Sequence, residues 1–268
     1  MAAEQDVVSI VRMTGLAPVA AEVVAYDTGP AAPVEAPAVL LLHGIGMSHL
    51  TWAEVQPALR HRVRTIALDL PGFGRAGKPA RGFGVPDFAQ AAGAALDRLG
   101  ISRWIAVGHS MGCQVAVELA VRRTRQAAGL VLVGPVVDST RRALLTQARD
   151  LARDALREPA GVDLRMLTDY LKGGPRWFLQ SLGPMLDYPI EPRLGQAGCP
   201  VTVVRGARDP IAREAWCRRL AAAASSGAEV VTVPGGAHVV PLTAPDAIQQ
   251  AVGRLVARAL NRAAGEPG

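Results

Sequence analysis

One stretch limits what this chain can fold into more than any other. A short apolar run, Trp104-Ile105-Ala106-Val107, ends in Gly108-His109-Ser110-Met111-Gly112 and passes directly into a segment of helical character, Cys113 to Val121. The glycines let the chain turn sharply from strand to helix, where side chains at the flanking positions would collide with neighbouring elements. A serine at the apex of that turn is held out beyond the end of its strand. The helix that follows points its N-terminus, with its free N–H groups, at the serine. Flanked by strand and helix, the five residues define a sheet edge and a candidate nucleophile on it.

The rest of the chain supplies the sheet. Ala38-Val39-Leu40-Leu41-Leu42 is continuously apolar, as a strand buried on both faces must be, and it ends in His43-Gly44-Ile45-Gly46. Further strands are expected at 64–68, 130–133, 201–204 and 229–233, with helices near 52–59, 85–99, 213–224 and 243–259. Gly100 is placed to stop the second of these helices. Thr243, with Asp246 three residues on, resembles a capping box for the last one. Before Tyr26 the β-like pieces are short and broken by Gly15 and Pro18, which suggests an antiparallel edge. Strands alternating with helices predict an α/β fold, a mostly parallel twisted sheet with helices on both faces.

Between Pro135 and Pro200 the alternation stops. A helix is expected over 141–157, followed by two shorter helical pieces interrupted at Gly173-Gly174-Pro175 and Gly183-Pro184. An insert of this length exceeds a simple crossover and reads as a helical cap. The expected organisation is therefore a core domain from 1–134 and 200–268 with a cap at 135–199.

Composition excludes several function classes. The net charge of +6 is carried by arginine, with lysine only at Lys78 and Lys172. Arg122-Arg123-Arg125, Arg141-Arg142 and Arg218-Arg219 sit on expected helices, where a solvated face is the ordinary reading and an acidic partner the alternative. Aromatic residues are 4% of the chain and are not interleaved with the basic groups, so nucleic-acid binding is not expected. No apolar run is long enough to cross a membrane. The acidic start Met1-Ala2-Ala3-Glu4-Gln5-Asp6 does not read as a signal peptide, and three unpaired-looking cysteines (Cys113, Cys199, Cys217) fit a cytoplasmic protein. The histidines are scattered rather than ligand-spaced, so neither a metal nor a cofactor is implied.

A serine hydroxyl needs a base to take its proton. Of the five histidines, His238 lies in Pro234-Gly235-Gly236-Ala237-His238, after the last strand, where a parallel sheet opens its loops on the same edge as the serine turn. His109 is adjacent to Ser110, so its side chain is expected to point elsewhere. A carboxylate must fix the tautomer of the base. Asp209, in Arg205-Gly206-Ala207-Arg208-Asp209-Pro210, is preferred, and Asp138 after 130–133 is the alternative acid. Asp69 also ends a strand, but its Leu70-Pro71-Gly72-Phe73-Gly74 context suggests a turn-stabilising role. Charge built on a substrate oxygen calls for aimed donors, here the N–H groups of Met111 and Ile45, with His43 orienting the second loop.

These pieces, His43-Gly44-Ile45-Gly46, Asp69 to Gly74, Gly108 to Gly112, Gly206 to Pro210 and Gly236-Ala237-His238, together resemble the capped α/β-hydrolases. The resemblance extends from about Val7 to Leu260 and implies serine hydrolase chemistry on a small-molecule substrate, an ester of a small to medium, largely apolar acid. Epoxide hydrolases and haloalkane dehalogenases of this fold carry aspartate where Ser110 stands. The C–C bond hydrolases of this fold are similar in the oxyanion loop and cap, but have asparagine and tryptophan where this chain has His109 and Val239. Type II thioesterases share Gly-His-Ser-Met-Gly and would draw on an acidic carrier protein. Acyl transfer or cyclisation, and a ligand-binding protein that kept the fold, stay open. Leu144, Leu151, Met166, Trp177, Phe178, Leu182 and Met185 are candidate cap linings, and Val239 is a further candidate for substrate contact.

Overall fold

The strands expected at 38–42, 104–107, 130–133 and 201–204 become neighbours in the computed structural model of the chain, which describes residues 8–31, 33, 35–141, 149 and 174–265. The strands are β1 (Ser9–Leu16), β2 (Ala21–Asp27), β3 (Ala38–Leu42), β4 (Thr65–Asp69), β5 (Trp104–His109), β6 (Ala127–Val133), β7 (Val201–Gly206) and β8 (Ala228–Val233). They form one sheet in the order β1-β2-β4-β3-β5-β6-β7-β8. β1 with β2 and β2 with β4 are antiparallel, and every later pairing is parallel. Strands β3, β4, β5 and β7 are buried along their whole length, whereas the edge strands β1 and β8 are largely in contact with solvent.

Side-chain alternation divides the core into two layers, one on each face of the sheet. Leu40, Leu42, Leu68 and Ala106 point to one face, and Val39, Leu41, Ala67, Ile105 and Val107 to the other. The described helices are α1 (Val55–Leu59), α2 (Val85–Arg98), α3 (Met111–Arg122), α4 (Pro175–Asp187), α5 (Ile190–Leu194), α6 (Glu214–Ala222), α7 (Val240–Thr243) and α8 (Pro245–Ala263). The first layer packs against α2 and α3 through Phe88, Ala92, Leu96, Val115 and Leu119. The second packs against α1 and α8 through Val55, Leu59, Ile248, Val252 and Leu255. Each such large apolar side chain contributes about 1.5–3 kcal/mol when fully removed from water. No helix among the described residues is long and apolar enough to cross a membrane.

Two local expectations change. The Gly183-Pro184 pair does not break a helix: α4 runs through it from Pro175 to Asp187. Pro184 withholds one N–H from the helix, but the carbonyl it would have bonded belongs to Gln180, which is exposed and open to water. Burial of Trp177 and Met185, and a 2.9 Å hydrogen bond from Gln114 Nε2 to Met185 O, hold the helix against the core. Thr243 does not cap the last helix. It closes α7, donating its hydroxyl to Val239 O at 3.1 Å, and Ala244 is the residue before α8. Pro245 forces that boundary, since it disfavours helical geometry in the residue before it and suits the first helical turn. The arginine clusters lie on solvated helix faces, as expected, and pair there with carboxylates of this chain: Arg122 bonds Glu118 at 2.7 Å, Arg123 bonds Asp97 at 2.5 Å, Arg218 bonds Glu214 at 2.7 Å, and Arg219 bonds Asp138.

Of residues 135–199, those described are 135–141, 149 and 174–199. The helix expected over 141–157, and with it Leu144, Leu151 and Met166, lies outside the described residues apart from Arg141 and Arg149. Where the chain returns, Glu118 of α3 accepts hydrogen bonds from Tyr188 Oη at 2.8 Å and from Arg193 Nε at 2.9 Å, in addition to Arg122. Burial alone would raise this carboxyl, but Arg122, Tyr188 and Arg193 outweigh it and hold the group below the usual carboxylate range.

Two predictions follow from this packing. A Cβ at Gly112 would sit 2.2 Å from Leu42 O, which is backbone, whereas Gly253 on α8 has open space around it. Gly112→Ala is expected to cost about 1–3 kcal/mol, and Gly253→Ala to add about 0.5–1 kcal/mol, both read as opposite shifts of Tm. For Glu118 the folded-state value lies below the unfolded one, so its stabilisation is present above the ordinary carboxylate range and is lost as pH falls through the folded value. Denaturant unfolding of wild type and Glu118→Gln should therefore show a stability gap at pH 7 that closes on acidification.

Candidate active site

The turn after β5 is strained at one residue. Ser110 has φ 55° and ψ −119°, an unusual conformation for a residue with a side chain. It is over-determined by its surroundings. Ser110 N–H donates to Val133 O at 2.9 Å, and Cys113 N–H donates to Ser110 O at 3.0 Å. A Cβ at Gly108 would lie 2.2 Å from Gly112 O, so the two glycines let strand and helix backbones meet directly. Met111 is the first residue of α3, where an N–H has no acceptor within the helix.

A second close approach joins the loops after β7 and β8. At Gly206 a Cβ would lie 2.1 Å from Ala237 O and 2.5 Å from Gly236 O, and Arg208 N–H donates to Gly236 O at 2.8 Å. With the two backbones locked in this way, Asp209 Oδ2 lies 2.8 Å from His238 Nδ1. The other carboxylate oxygen accepts from Ile211 N–H at 2.7 Å and Ala212 N–H at 2.8 Å. Asp209 is 4% exposed. Burial pushes its carboxyl up, but His238 and the two N–H donors overcome this and hold it below its ordinary range. An ionised Asp209 takes the Nδ1 proton of His238 as a hydrogen bond, leaving Nε2 as the basic nitrogen. Gly134, at φ 55°, makes room for the ring: a Cβ there would lie 3.0 Å from Nδ1 and Cε1 of His238.

The loop after β3 is pinned at both ends. His43 Nδ1 lies 2.7 Å from Gly44 O, and its Nε2 accepts Leu70 N–H at 3.1 Å, so the proton is on Nδ1. At the far end, Asp69 accepts His49 N–H at 2.8 Å, His49 Nδ1 at 2.9 Å, Arg75 N–H at 2.9 Å and Tyr26 Oη at 3.1 Å. Although burial opposes it, the His49 contacts keep this carboxyl below its usual range. Between these anchors Gly44 packs on the serine, since a Cβ there would lie 3.0 Å from Ser110 Cβ. Ile45, the next residue, is partly buried against the core.

The structure therefore brings Ser110, Gly44, Asp209 and His238 to the C-terminal edge of the parallel strands. The edge is also where the strand order turns back, because β3 lies between β4 and β5, and open α/β sheets bind ligands at that crevice. Asp138 is engaged elsewhere: its Oδ1 accepts Thr140 N–H at 3.0 Å, Thr140 Oγ1 at 2.7 Å and Arg219. Trp177 is buried beside Phe73 and Phe83, with its indole edge over Gly72. Phe178 is half-buried, Val239 is fully buried against Met47 and Leu242, and Leu144 lies outside the described residues. No group of three or more His, Cys, Asp or Glu among the described residues is placed to hold a metal ion.

His109 was expected only to point away from Ser110. It is buried, and its Nε2 lies 3.1 Å from His238 O. Nothing in the local pattern shows that contact, because it joins residues far apart in the chain. The Asp69–His49 clamp is hidden for the same reason.

A family model described as the alpha/beta hydrolase family matches residues 39–251, which span β3 to α8 and every loop above. The dihydrolipoyllysine-residue acetyltransferase component of an acetoin cleaving system from Pseudomonas putida is 30% identical over 237 residues, 79% of this chain. The match covers 61% of that protein, so the chain spans less than two thirds of its length. Among solved structures, a thermophilic esterase from Thermogutta terrifontis superposes with a TM-score of 0.78 at 22% identity, covering 94% of this chain and 99% of that one. An enol-lactonase from Burkholderia xenovorans LB400 gives 0.74 at 20% identity, covering 88% and 97%. At such identities the likeness is one of fold. The family model's extent and the eight-stranded sheet agree, and the chain belongs to the alpha/beta hydrolase family.

Proposed function

We propose that the protein is a serine hydrolase that cleaves an ester of a small to medium, largely apolar acid through an acyl-enzyme. The observation that carries this reading is the buried Asp209–His238 pair, 2.8 Å apart, on the sheet edge that presents a strained Ser110. Ser110 Oγ attacks the carbonyl carbon while His238 Nε2 takes its proton. The tetrahedral oxyanion is held by the N–H groups of Met111 and Ile45. When it collapses, the C–O bond to the alcohol breaks and His238 returns the proton to the leaving oxygen. Water then adds by the same route in reverse order and releases the acid. Asp209 stays ionised throughout, orienting the ring and stabilising the imidazolium.

The preference for an apolar acyl group rests on the surroundings. Met47 and Val239 flank the loops beside Ser110, and Phe73, Phe83 and Trp177 form an aromatic cluster beyond β4. We read 135–199 as a cap over this edge, with Trp177 and Phe178 on its returning helix. The same attack would open a thioester, a lactone or a C–C bond next to a carbonyl. An acyl acceptor other than water is the second reading, favoured by the acetyltransferase name of the Pseudomonas putida relative. The ion pairs of Arg122, Arg123, Arg218 and Arg219 with carboxylates of this chain weigh towards a small-molecule substrate and away from an acidic carrier.

The proposal is tested with a p-nitrophenyl ester of a short fatty acid. Ser110→Ala should lower kcat by at least about 10⁴-fold, and near-normal turnover by that variant would rule the mechanism out. Asp209→Asn should lower kcat by about 10⁴-fold with little change in KM, whereas Asp138→Asn should leave kcat close to wild type. The reverse ranking would move the acid to Asp138.

A further inference from the structure

His109 is a buried titratable group that the proposed mechanism does not use, and it meets three of the four loops that the mechanism needs. It is the residue immediately before Ser110 in the turn. Its Nε2 lies 3.1 Å from the carbonyl oxygen of His238, and the two rings pack at 4.9 Å between centroids, inclined by 50°. Its Nδ1 has no hydrogen-bond partner among the described residues and faces the loop after β3, 3.3 Å from where a Cβ on Gly44 would be. Burial, reinforced by the neighbouring His238, pushes the imidazole down to about 3, so it is neutral at any pH where the protein works. A neutral ring whose Nε2 faces a carbonyl oxygen must carry its proton on Nε2. The bare Nδ1 lone pair then faces the side of Gly44 where a Cβ would crowd the ring.

We propose that His109 is a positioning residue for catalysis: through Nε2–H it holds the backbone of His238, and through its ring edge it spaces Gly44 and its loop, fixing the base and the oxyanion loop relative to Ser110. This inference rests on the reading of His238 as the base. Its physical basis is the bond from His109 Nε2–H to His238 O, which couples the backbone carrying the base directly to the turn carrying Ser110. The base and its orienter come from the loops after β8 and β7, whereas the nucleophile comes from β5, and His109 ties the first to the last by a side-chain hydrogen bond. A misplacement of about 1 Å at such a site costs about 100-fold in rate.

The test compares His109→Gln, whose amide N–H reaches the position of Nε2, with His109→Leu, which fills the space without a donor. Turnover of the p-nitrophenyl ester is normalised to the serines labelled at completion by a fluorophosphonate, so that misfolded protein is not counted. His109→Leu is expected to lose about 100-fold in kcat per labelled serine, with KM within about twofold of wild type and slower labelling. His109→Gln is expected to recover kcat to within about fivefold of wild type, one good hydrogen bond being worth about 1 kcal/mol. A His109→Leu enzyme with near-normal kcat, or a folded His109→Gln enzyme as slow as His109→Leu, overturns the inference. If His109→Leu fails to fold, His109→Gln decides alone, near-normal kcat supporting the role and a 100-fold loss refuting it. A wild-type enzyme that neither labels nor turns over refutes the reading of Ser110 and His238 instead, and so separates the two failures.

Discussion

Backbone meeting backbone, with no side chain between, is the constraint on which the site depends. At Gly108, Gly112 and Gly206 an added Cβ would lie 2.1–2.2 Å from a carbonyl oxygen of the neighbouring segment. Two of these approaches set Ser110 in its strained conformation at the mouth of α3. The third clamps the loops after β7 and β8 so that Asp209 and His238 meet at 2.8 Å. A methyl group at any of the three would move a loop by more than a hydrogen bond tolerates. The strain at Ser110 is stored against two fully buried core layers, which is what lets a residue with a side chain keep φ 55°.

Around these contacts lies a set of buried polar groups, and each is matched to a charge state. Asp209 and Asp69 stay ionised because N–H donors and imidazoles offset the cost of burial. His109 stays neutral for the opposite reason, since burial and a neighbouring histidine both disfavour its cation. Three histidines thus differ in their surroundings: His43 bonds Gly44 O and Leu70 N–H, His109 bonds His238 O from within the core, and His238 pairs with Asp209. The polar cluster on Glu118 works at longer range, tying Tyr188 and Arg193 to the helix that begins at the serine.

Strands 38–42, 104–107, 130–133 and 201–204 were legible because a strand buried on both faces has no alternation to confuse with a surface helix. The serine turn was legible because its glycines report a steric need that is local. A parallel sheet brings all its strand ends to one edge, which put His238, Asp209 and Asp138 there together; the chain order Ser, Asp, His, and not the strand order, gave Asp209 its preference. What was hidden has a common physical origin. Gly183-Pro184 reads as a break until the burial of Trp177 and Met185 is known, and Thr243 reads as a cap until Pro245 is seen to set the boundary one residue later. The contact of His109 with His238 O joins residues 129 apart, and no pattern over a few residues reports it.

The central claim is that Ser110 becomes covalently acylated during turnover. Rapid acid quenching of the enzyme with a slowly deacylating ester, followed by mass spectrometry of the peptide carrying Ser110, tests it directly. The account predicts an added mass equal to the acyl group on Ser110, formed at the rate of the first alcohol release and lost at the rate of steady-state turnover. Turnover with no adduct on Ser110, or with the adduct on another residue, would contradict it.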